Sequence, residues 1–355
     1  MKKSFQIGGA FVGLVVGAGF ASGQEILQYF TSFGLMGVVG SIVATVAFAF
    51  LGMTLAQIGS DLQTTSHKEG IYYIGGRYIG AVLDILITLI LFSIAVVMFA
   101  GSGATFQQMF GINPGLGSIA MATVTIVTLF LNTESILKIV AVLTPYLMGI
   151  IFIILIYSVF TMDYPLGALD EMAQQQPSAA SNWWMGAVLY VSYNIATGAA
   201  MLMVMGGTEK NRKIAGLGGI IGGVMLGVLI LLINIALFVK IDVVAGVAMP
   251  TLELAKQIHP LMGLCMGVIL LGMMYNTAVG MFYVFTVRFI APNRKLYKPA
   301  VMVIGLAGFA VSLVGFTTLI GTLYSTAGYL GFVLIMAVLI AWVRSKMRGS
   351  DKIST

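Results

Sequence analysis

Long apolar segments, separated by short polar ones, run through almost the whole chain. A helix needs about 20 mainly apolar residues to cross a membrane, and ten segments approach that length. We predict them at 5–31, 35–59, 79–109, 116–131, 135–160, 183–207, 214–239, 261–290, 300–318 and 321–343. The fourth is short, and almost no turn separates the ninth from the tenth. The pattern predicts an all-α integral membrane protein with one transmembrane domain over 1–343 and a tail over 344–355.

Composition agrees with this pattern. Of 355 residues, 59% are hydrophobic and 8% are charged, against about 25% charged in a soluble protein. The one cysteine, Cys265, permits no intramolecular disulfide, and the two histidines are too far apart in sequence to suggest a metal pair.

The basic residues are distributed asymmetrically. Lys and Arg are retained on the cytoplasmic side of a membrane. With the N-terminus inside, all but Lys240 and Lys256 of the 18 basic residues fall in inner segments. The loop after the fifth segment carries acidic residues and no base. We therefore predict that both termini are cytoplasmic, and that the net charge of +6 reflects topology rather than nucleic-acid binding.

The first apolar segment is interrupted in its middle. Between Gly13 and Gly23, four glycines weaken a helix by roughly 1 kcal/mol each relative to alanine. Such a break at membrane depth survives only inside protein or beside a polar cavity, and secondary transporters build their sites in this way. Close helix packing is the alternative use of glycine, but it does not explain Ser22, Gln24 and Glu25.

The two halves of the chain have similar patterns. Segments over 5–160 and 183–343 pair one to one at an offset of about 180 residues. The sixth segment is predicted to be broken at 193–198, in the position that corresponds to the first break. Because five is an odd number, the second copy enters the membrane from the opposite face. We predict a 5+5 inverted repeat, with helices 1 and 6 broken at mid-membrane and a binding site beside them.

These features resemble the LeuT-type fold of the amino acid–polyamine–cation superfamily. The stretch 17–25 is similar to the opening of the YkvI-like bacterial permeases, and 13–19 resembles the G-x-x-V-G-x-G stretch of sodium-coupled amino acid transporters. The resemblance implies a multi-pass protein of a bacterial plasma membrane.

The resemblance also implies a sodium site. Its ligands would be the carbonyls of Gly13 and Val16, completed by Met273, Asn276 and Thr277 in the eighth segment. Oxygen donors suit a hard cation, although ordinary interhelical hydrogen bonding would also explain Asn276 and Thr277.

Two further positions bear on the coupling ion. A second family sodium site needs asparagine where this chain has Phe20, so we predict that site to be missing. Proton-coupled relatives place a lysine deep in the fifth segment, whereas Lys138 lies near its start, which favours sodium.

The substrate site is predicted at the two breaks. N–H groups of a half-helix that starts near Ala21 could hold an anionic group, and polar groups of the sixth segment would face the solute. The candidate substrate residues are Ala18, Gly19, Ala21, Ser22, Gly23, Glu25, Tyr193, Asn194 and Thr197.

Two acidic residues lie within apolar segments. A charge at the bilayer centre costs at least ~2.5–3.5 kcal/mol, so Glu25 should face the bundle interior. It would serve transport, as a proton or amine acceptor or in an outer gate, or it would cap the broken helix. Asp84 is expected near the inner interface, close to Arg77.

The leading hypothesis is a secondary active transporter that moves a small polar organic solute, an amino acid or related amine, by alternating access in symport with Na⁺. The alternatives are a proton-coupled permease that uses Glu25, and a channel or sensor on the same fold. The expected partners are the solute and membrane lipid, with no cofactor beyond Na⁺ or H⁺. We find no H-E-x-x-H and no P-loop motif, and thus no sign of an enzyme or of direct use of ATP. Substrate identity and oligomeric state stay open.

Overall fold

Helices make up the regular structure of the protein. The computed structural model describes residues 1–64, 67–130 and 137–351, which contain no β-strand. The helices are α1 Lys2–Val15, α2 Ala18–Ala21, α3 Gln24–Tyr29, α4 Leu35–Leu62, α5 His67–Phe110, α6 Pro114–Phe130, α7 Leu137–Phe160, α8 Leu166–Gln174, α9 Trp183–Gly207, α10 Arg212–Val239, α11 Ile241–Val244, α12 Pro250–Ile258, α13 Pro260–Val287, α14 Tyr297–Ser312, α15 Phe316–Leu319 and α16 Ser325–Asp351. A π-helical turn over Ile320–Tyr324 joins α15 to α16.

Several of these helices are long and apolar enough to cross a membrane. In the described part of the chain they are Leu35–Leu62, Glu69–Phe110, Arg212–Val239, Pro260–Val287 and Phe316–Val343, with the bent pair Trp183–Ala199 and Met201–Gly207 as a further candidate. Shorter apolar helices lie over Pro114–Phe130, Tyr146–Phe160 and Tyr297–Ser312. The all-helical membrane fold is therefore confirmed, whereas the count of ten spans, the domain bounds and the inverted repeat stay predictions. Lys138 lies outside the residues whose side chains are described, as does the tail over 344–355.

The predicted boundary between the ninth and tenth segments is wrong. α14 ends at Ser312, and α15 begins at Phe316 after a turn at Gly315, whose φ of 103° disfavours any residue with a side chain. Hydropathy missed this turn because Leu313 and Val314, which precede the glycine, are themselves apolar.

Asp84 forms its ion pair with Arg288 rather than with the predicted neighbour Arg77. Its Oδ1 lies 2.7 Å from the Arg288 guanidinium at the end of α13, and the same guanidinium donates to Thr88 Oγ1. Arg77 is exposed, just past a kink at Gly76. The pair links α5 to α13, a contact between distant segments that proximity in sequence could not indicate.

Glycines on two faces of α10 let α1 and α4 approach it closely. Towards α4, a Cβ at Gly219 would overlap the Gly52 carbonyl, and one at Gly223 would lie 2.5 Å from Ala49 Cα. Towards α1, a Cβ at Gly222 would lie 2.9 Å from the Gly8 carbonyl oxygen. Small residues at such interfaces allow the backbone contact that drives helix association in lipid. α10 therefore fixes α1 in place, and with it the break at the end of α1.

One end of the bundle is closed over α2 and α3 by hydrogen bonds to the backbone. Thr251, at the start of α12, donates from Oγ1 to the Ala21 carbonyl at 2.6 Å and from its N–H to the Ser22 carbonyl at 3.0 Å. Gln28 Nε2 donates to the Thr317 carbonyl at 3.0 Å. The carbonyls freed by the break on this side thus find protein partners, as membrane depth requires.

Candidate functional site

The first membrane segment is broken twice. α1 ends at Val15, Val16 has ψ 84° and Gly17 is extended, after which α2 makes a single turn. A second break follows at Gly23, which has φ 78°. The interruption itself agrees with the sequence, but the prediction of one half-helix starting near Ala21 is wrong, because four glycines allow the chain to unwind on both sides of α2.

The first break leaves a helix-end carbonyl without its usual partner. The Gly17 N–H bonds to the Val15 carbonyl at 2.8 Å instead of to that of Gly13, four residues back. The second break is capped by Ser22, whose hydroxyl donates to the Gly19 carbonyl at 2.7 Å and accepts from the Gln24 N–H at 3.2 Å. Ser22 therefore serves the backbone, and its hydroxyl is not turned to a ligand.

A cavity of about 200 Å³ lies beside the first break, between α1, α2, α5, α9 and α13. Eleven of the predicted site residues line it: Gly13, Val16, Ala18, Gly19, Glu25, Tyr193, Asn194, Thr197, Met273, Asn276 and Thr277. Ala21, Ser22 and Gly23 do not, since they lie at the second break, where they meet Thr251. Candidate residues from the first and the second half of the chain, up to 264 positions apart (Gly13 to Thr277), thus line one cavity.

Glu25 is the acidic residue of this cavity. Its side chain is 5% exposed and folds back towards the break, so that a Cβ at Gly19 would overlap its Oε1. The Tyr193 hydroxyl donates to its Oε2. None of the ion pairs among the described residues includes Glu25. Among the described residues, the Glu25 carboxyl group thus has tyrosine beside it and no cation.

The structure does not show Glu25 in the alternative role of a helix cap. Among the hydrogen bonds of the described residues, the N–H of Gln24 at the start of α3 bonds to Ser22, and Glu25 is held by Tyr193. Ser22, and not Glu25, therefore caps the start of α3.

Four tyrosines surround the Glu25 carboxyl group. The ring centroids of Tyr193 and Tyr324 are 4.9 Å apart, and those of Tyr190 and Tyr193 are 5.4 Å apart. Tyr29 lies 6.1 Å from Tyr193 and bonds Ser325 through its hydroxyl at 3.0 Å. Sequence reasoning missed three of them. Tyr29 could have been found from its position one helical turn after Glu25, whereas Tyr324 reaches the cavity from a π-helical turn that no pattern indicated.

The sixth segment is not unwound at 193–198. α9 continues as a helix through these residues and bends by 53° between Trp183–Ala199 and Met201–Gly207. Asn194 Nδ2 donates to the Tyr190 carbonyl at 2.9 Å, and Thr197 Oγ1 donates to the Asn194 carbonyl at 2.8 Å. Such bonds to the preceding turn keep these polar residues inside the helix. The interruption predicted at 193–198 is found further along, as the 53° bend after Ala199.

Across the cavity from α1, α13 presents Met273, Asn276 and Thr277. The Asn276 Oδ1 is buried and has no hydrogen-bond partner among the described residues. A buried acceptor without a partner is costly, which makes this oxygen a candidate ligand of a cation. The described residues contain no cluster of three or more His, Cys, Asp or Glu side chains that would hold a transition metal. The side chain of Phe20 is 1% exposed and carries no oxygen, and the absence of a second sodium site stays a prediction.

The chain was compared with known proteins by sequence and by structure. No family model matches it. The membrane protein YkvI of Bacillus subtilis is 25% identical over 339 residues, 94% of each chain. The protein YyaD of the same organism is 25% identical over 338 residues, 95% of this chain and 96% of that protein.

Similar folds are found among solved structures of transporters. The inward-facing conformation of Mhp1 has a TM-score of 0.69 at 15% identity, over 96% of this chain and 75% of Mhp1. MhsT in complex with L-phenylalanine has a TM-score of 0.57 at 15% identity, over 95% of this chain and 97% of MhsT. The manganese transporter of Eremococcus coleocola has a TM-score of 0.58 at 13% identity, over 96% of this chain and 78% of that one. The resemblance inferred from the sequence is confirmed: the chain has the LeuT-type membrane fold that these transporters share, and it is similar to YkvI over 94% and to YyaD over 95% of its length.

Proposed function

We propose that this protein is a secondary transporter that moves a small polar organic solute, an amino acid or related amine, by alternating access. The observation that carries the proposal is Glu25, a carboxyl group without a cationic partner that faces a cavity at the break of the first membrane segment. Ionisable groups inside membrane proteins face pathways and mark function. Uptake by the purified protein in proteoliposomes, under an imposed Na⁺ or H⁺ gradient, tests it.

The two ends of the cavity differ, as alternating access requires. On the side of the N-terminus, the small residues Gly9 and Gly13 lie exposed on one face of α1, and Gly13 also lines the cavity. On the other side, α12 and the Gln28–Thr317 bond cover the broken segment. With the termini in the cytoplasm, this form is open inwards, in agreement with its similarity to the inward-facing conformation of Mhp1.

The orientation can be tested by cysteine labelling. The exposed Cys265 is first replaced by serine, and single cysteines are placed at the exposed Glu171 and Lys210. Asp170 is avoided because its Oδ1 accepts from the Leu35 N–H at 2.7 Å. We expect a membrane-impermeant maleimide added to intact cells to label Glu171→Cys, and to reach Lys210→Cys after the membrane is opened. Labelling of both positions in intact cells would contradict the orientation.

Sodium is the coupling ion that the donor set supports best. Gly13 and Val16 line the cavity on the side of α1, and Met273, Asn276 and Thr277 line it on the side of α13. The Asn276 Oδ1 has no hydrogen-bond partner among the described residues. Backbone and amide oxygens suit a hard cation. The described residues show no interhelical hydrogen bond from Asn276 or Thr277, which leaves these oxygens available.

Thr277→Val tests this site because it removes one oxygen and nearly keeps the shape of the side chain. We expect the thermal stabilisation of the purified protein by NaCl, relative to choline chloride, to be lost or to need at least tenfold more sodium. Thr123→Val is the matched control, since Thr123 is exposed on α6 and bonds the carbonyl of Ile119 in its own helix. An unchanged sodium titration in Thr277→Val would reject the site.

Proton coupling through Glu25 is the second candidate. It is favoured by the hydrogen bond from Tyr193 to a carboxyl group without a charged partner, since such a group can exchange a proton with the cavity. The two candidates differ in the gradient that drives uptake.

A further inference from the structure

The charges that face the cavity are of one sign. Among the described residues, its lining contains no Lys, Arg or His, and Glu25 is the one carboxyl group. A charged ligand therefore meets a negative wall beside a carboxyl group that is 5% exposed, where charges interact more strongly than in bulk water. This balance favours a positively charged ligand over an anion.

The Glu25 carboxyl group already lies where a carboxylate of the ligand would be expected to bind, at the start of α2. Anions bind at helix N-termini that follow a break, but α2 has only four residues, so its dipole is small. The Glu25 carboxyl group already lies against Gly19 of α2. Phe20, with its side chain buried, supplies no ligand for a second cation that would offset a carboxylate there. An α-carboxylate brought to α2 would thus be repelled by Glu25.

The wall beside Glu25 suits an organic ammonium group. The rings of Tyr193 and Tyr324 line the cavity, with centroids 4.9 Å apart. Aromatic faces attract alkylammonium groups, most strongly where water is excluded. Beyond them the wall is apolar, with Ile94, Met98 and Met281. A volume of about 200 Å³ exceeds the ~150 Å³ of a cavity that holds benzene, so an amine with a ring-sized apolar group fits.

From these observations we propose that the cavity selects a small organic monoamine in its ammonium form and discriminates against the same molecule carrying an α-carboxylate. The inference rests on the proposed transport function and narrows its substrate class. Glu25 binds the ammonium group, Tyr193 holds the carboxyl group in position, and Tyr193 and Tyr324 contribute their ring faces.

Ligands that share an apolar group but differ in charge show separately how the ammonium group and the carboxylate affect binding. Binding to the purified wild-type protein is measured by thermal stabilisation with two sets of three compounds: phenethylamine, phenylalanine and 3-phenylpropionate, then isoamylamine, leucine and 4-methylpentanoate. Each set shares one apolar group and varies the amine and the carboxylate. We expect each amine to bind at least tenfold more tightly than its amino acid, and the acids not to bind.

Variants test which residue makes the selection. In Glu25→Gln the preference for amine over amino acid should fall to less than threefold. Glu171→Gln removes an exposed carboxyl group of α8 and should leave the preference unchanged. Tyr324→Phe keeps the ring and should retain most of the affinity, whereas Tyr324→Leu should lose it.

The outcomes separate this inference from the transport function. Amino acids that bind as tightly as the amines, or no binding by either amine at millimolar concentration, would overturn the inference, and gradient-driven uptake of an amino acid would still support a transporter. Selective amine binding without gradient-driven uptake of any compound would uphold the inference and remove the transport function.

Discussion

Glu25→Gln should reduce substrate uptake by about tenfold to a hundredfold while the protein stays folded and inserted. The amide keeps the shape of the side chain and can still accept from the Tyr193 hydroxyl, but it cannot neutralise an ammonium group or carry a proton. Charge-assisted hydrogen bonds contribute about 1.5–3 kcal/mol, which corresponds to the expected loss. The measurement is initial uptake of labelled amines and amino acids into proteoliposomes.

Folding and function must be separated in that experiment. The elution profile in detergent and the melting temperature of Glu25→Gln should match the wild type, and Glu171→Gln should transport normally. Full uptake by Glu25→Gln, with the same dependence on pH and on sodium as the wild type, would exclude a role for Glu25 in transport.

The second large effect is expected at the interface of α10 and α4. Gly223→Leu places a side chain where the Cβ alone would lie 2.5 Å from Ala49 Cα and from the Phe48 carbonyl carbon. Because backbone atoms cannot turn aside as a side chain can, the helices must separate. Overpacking costs about 1–3 kcal/mol, and we expect the upper end of that range, seen as a lower melting temperature and a loss of monodisperse protein.

Gly149→Leu is the matched control for this substitution. Gly149 is exposed within α7, and nothing lies within 4 Å of its Cβ position. Leucine gains up to ~1 kcal/mol of helix propensity over glycine, so the control should be neutral or slightly stabilising. Similar melting temperatures for the two variants would show that α10 and α4 are not packed through Gly223.

The sequence predicts the helices and the first break. Of its fourteen candidate site residues, eleven line the cavity. These predictions share a common physical reason. Apolar runs of membrane length permit few structures other than helices. Gly17 and Gly19 beside Glu25 combine weak helix propensity with a charge that lipid cannot solvate. A residue pattern that would be costly in lipid therefore indicates that the residues lie inside the protein or beside a polar cavity.

Several features could not be predicted because hydropathy and spacing do not specify hydrogen-bond partners. Asp84 pairs with Arg288, 204 positions away, and Ser22 is used by the backbone because α2 needs an end cap. α9 stays helical over 193–198, where Asn194 and Thr197 bond to their own helix, and it bends after Ala199. Tyr324 faces Glu25 only through a π-helical turn. In each case polarity indicated that a partner exists, but not which atom of the folded chain it is.

The central claim is that this LeuT-type fold moves a small organic solute against its gradient through the cavity of Glu25. The most direct measurement is accumulation of labelled phenethylamine, isoamylamine, phenylalanine and leucine in proteoliposomes, under an inward Na⁺ gradient or an inward H⁺ gradient. We predict that one of these gradients raises at least one solute inside above its outside concentration, that collapse of the gradient releases it, and that Glu25→Gln does not accumulate it. Equilibration without accumulation under both gradients, or no uptake of any of the four, would contradict the claim.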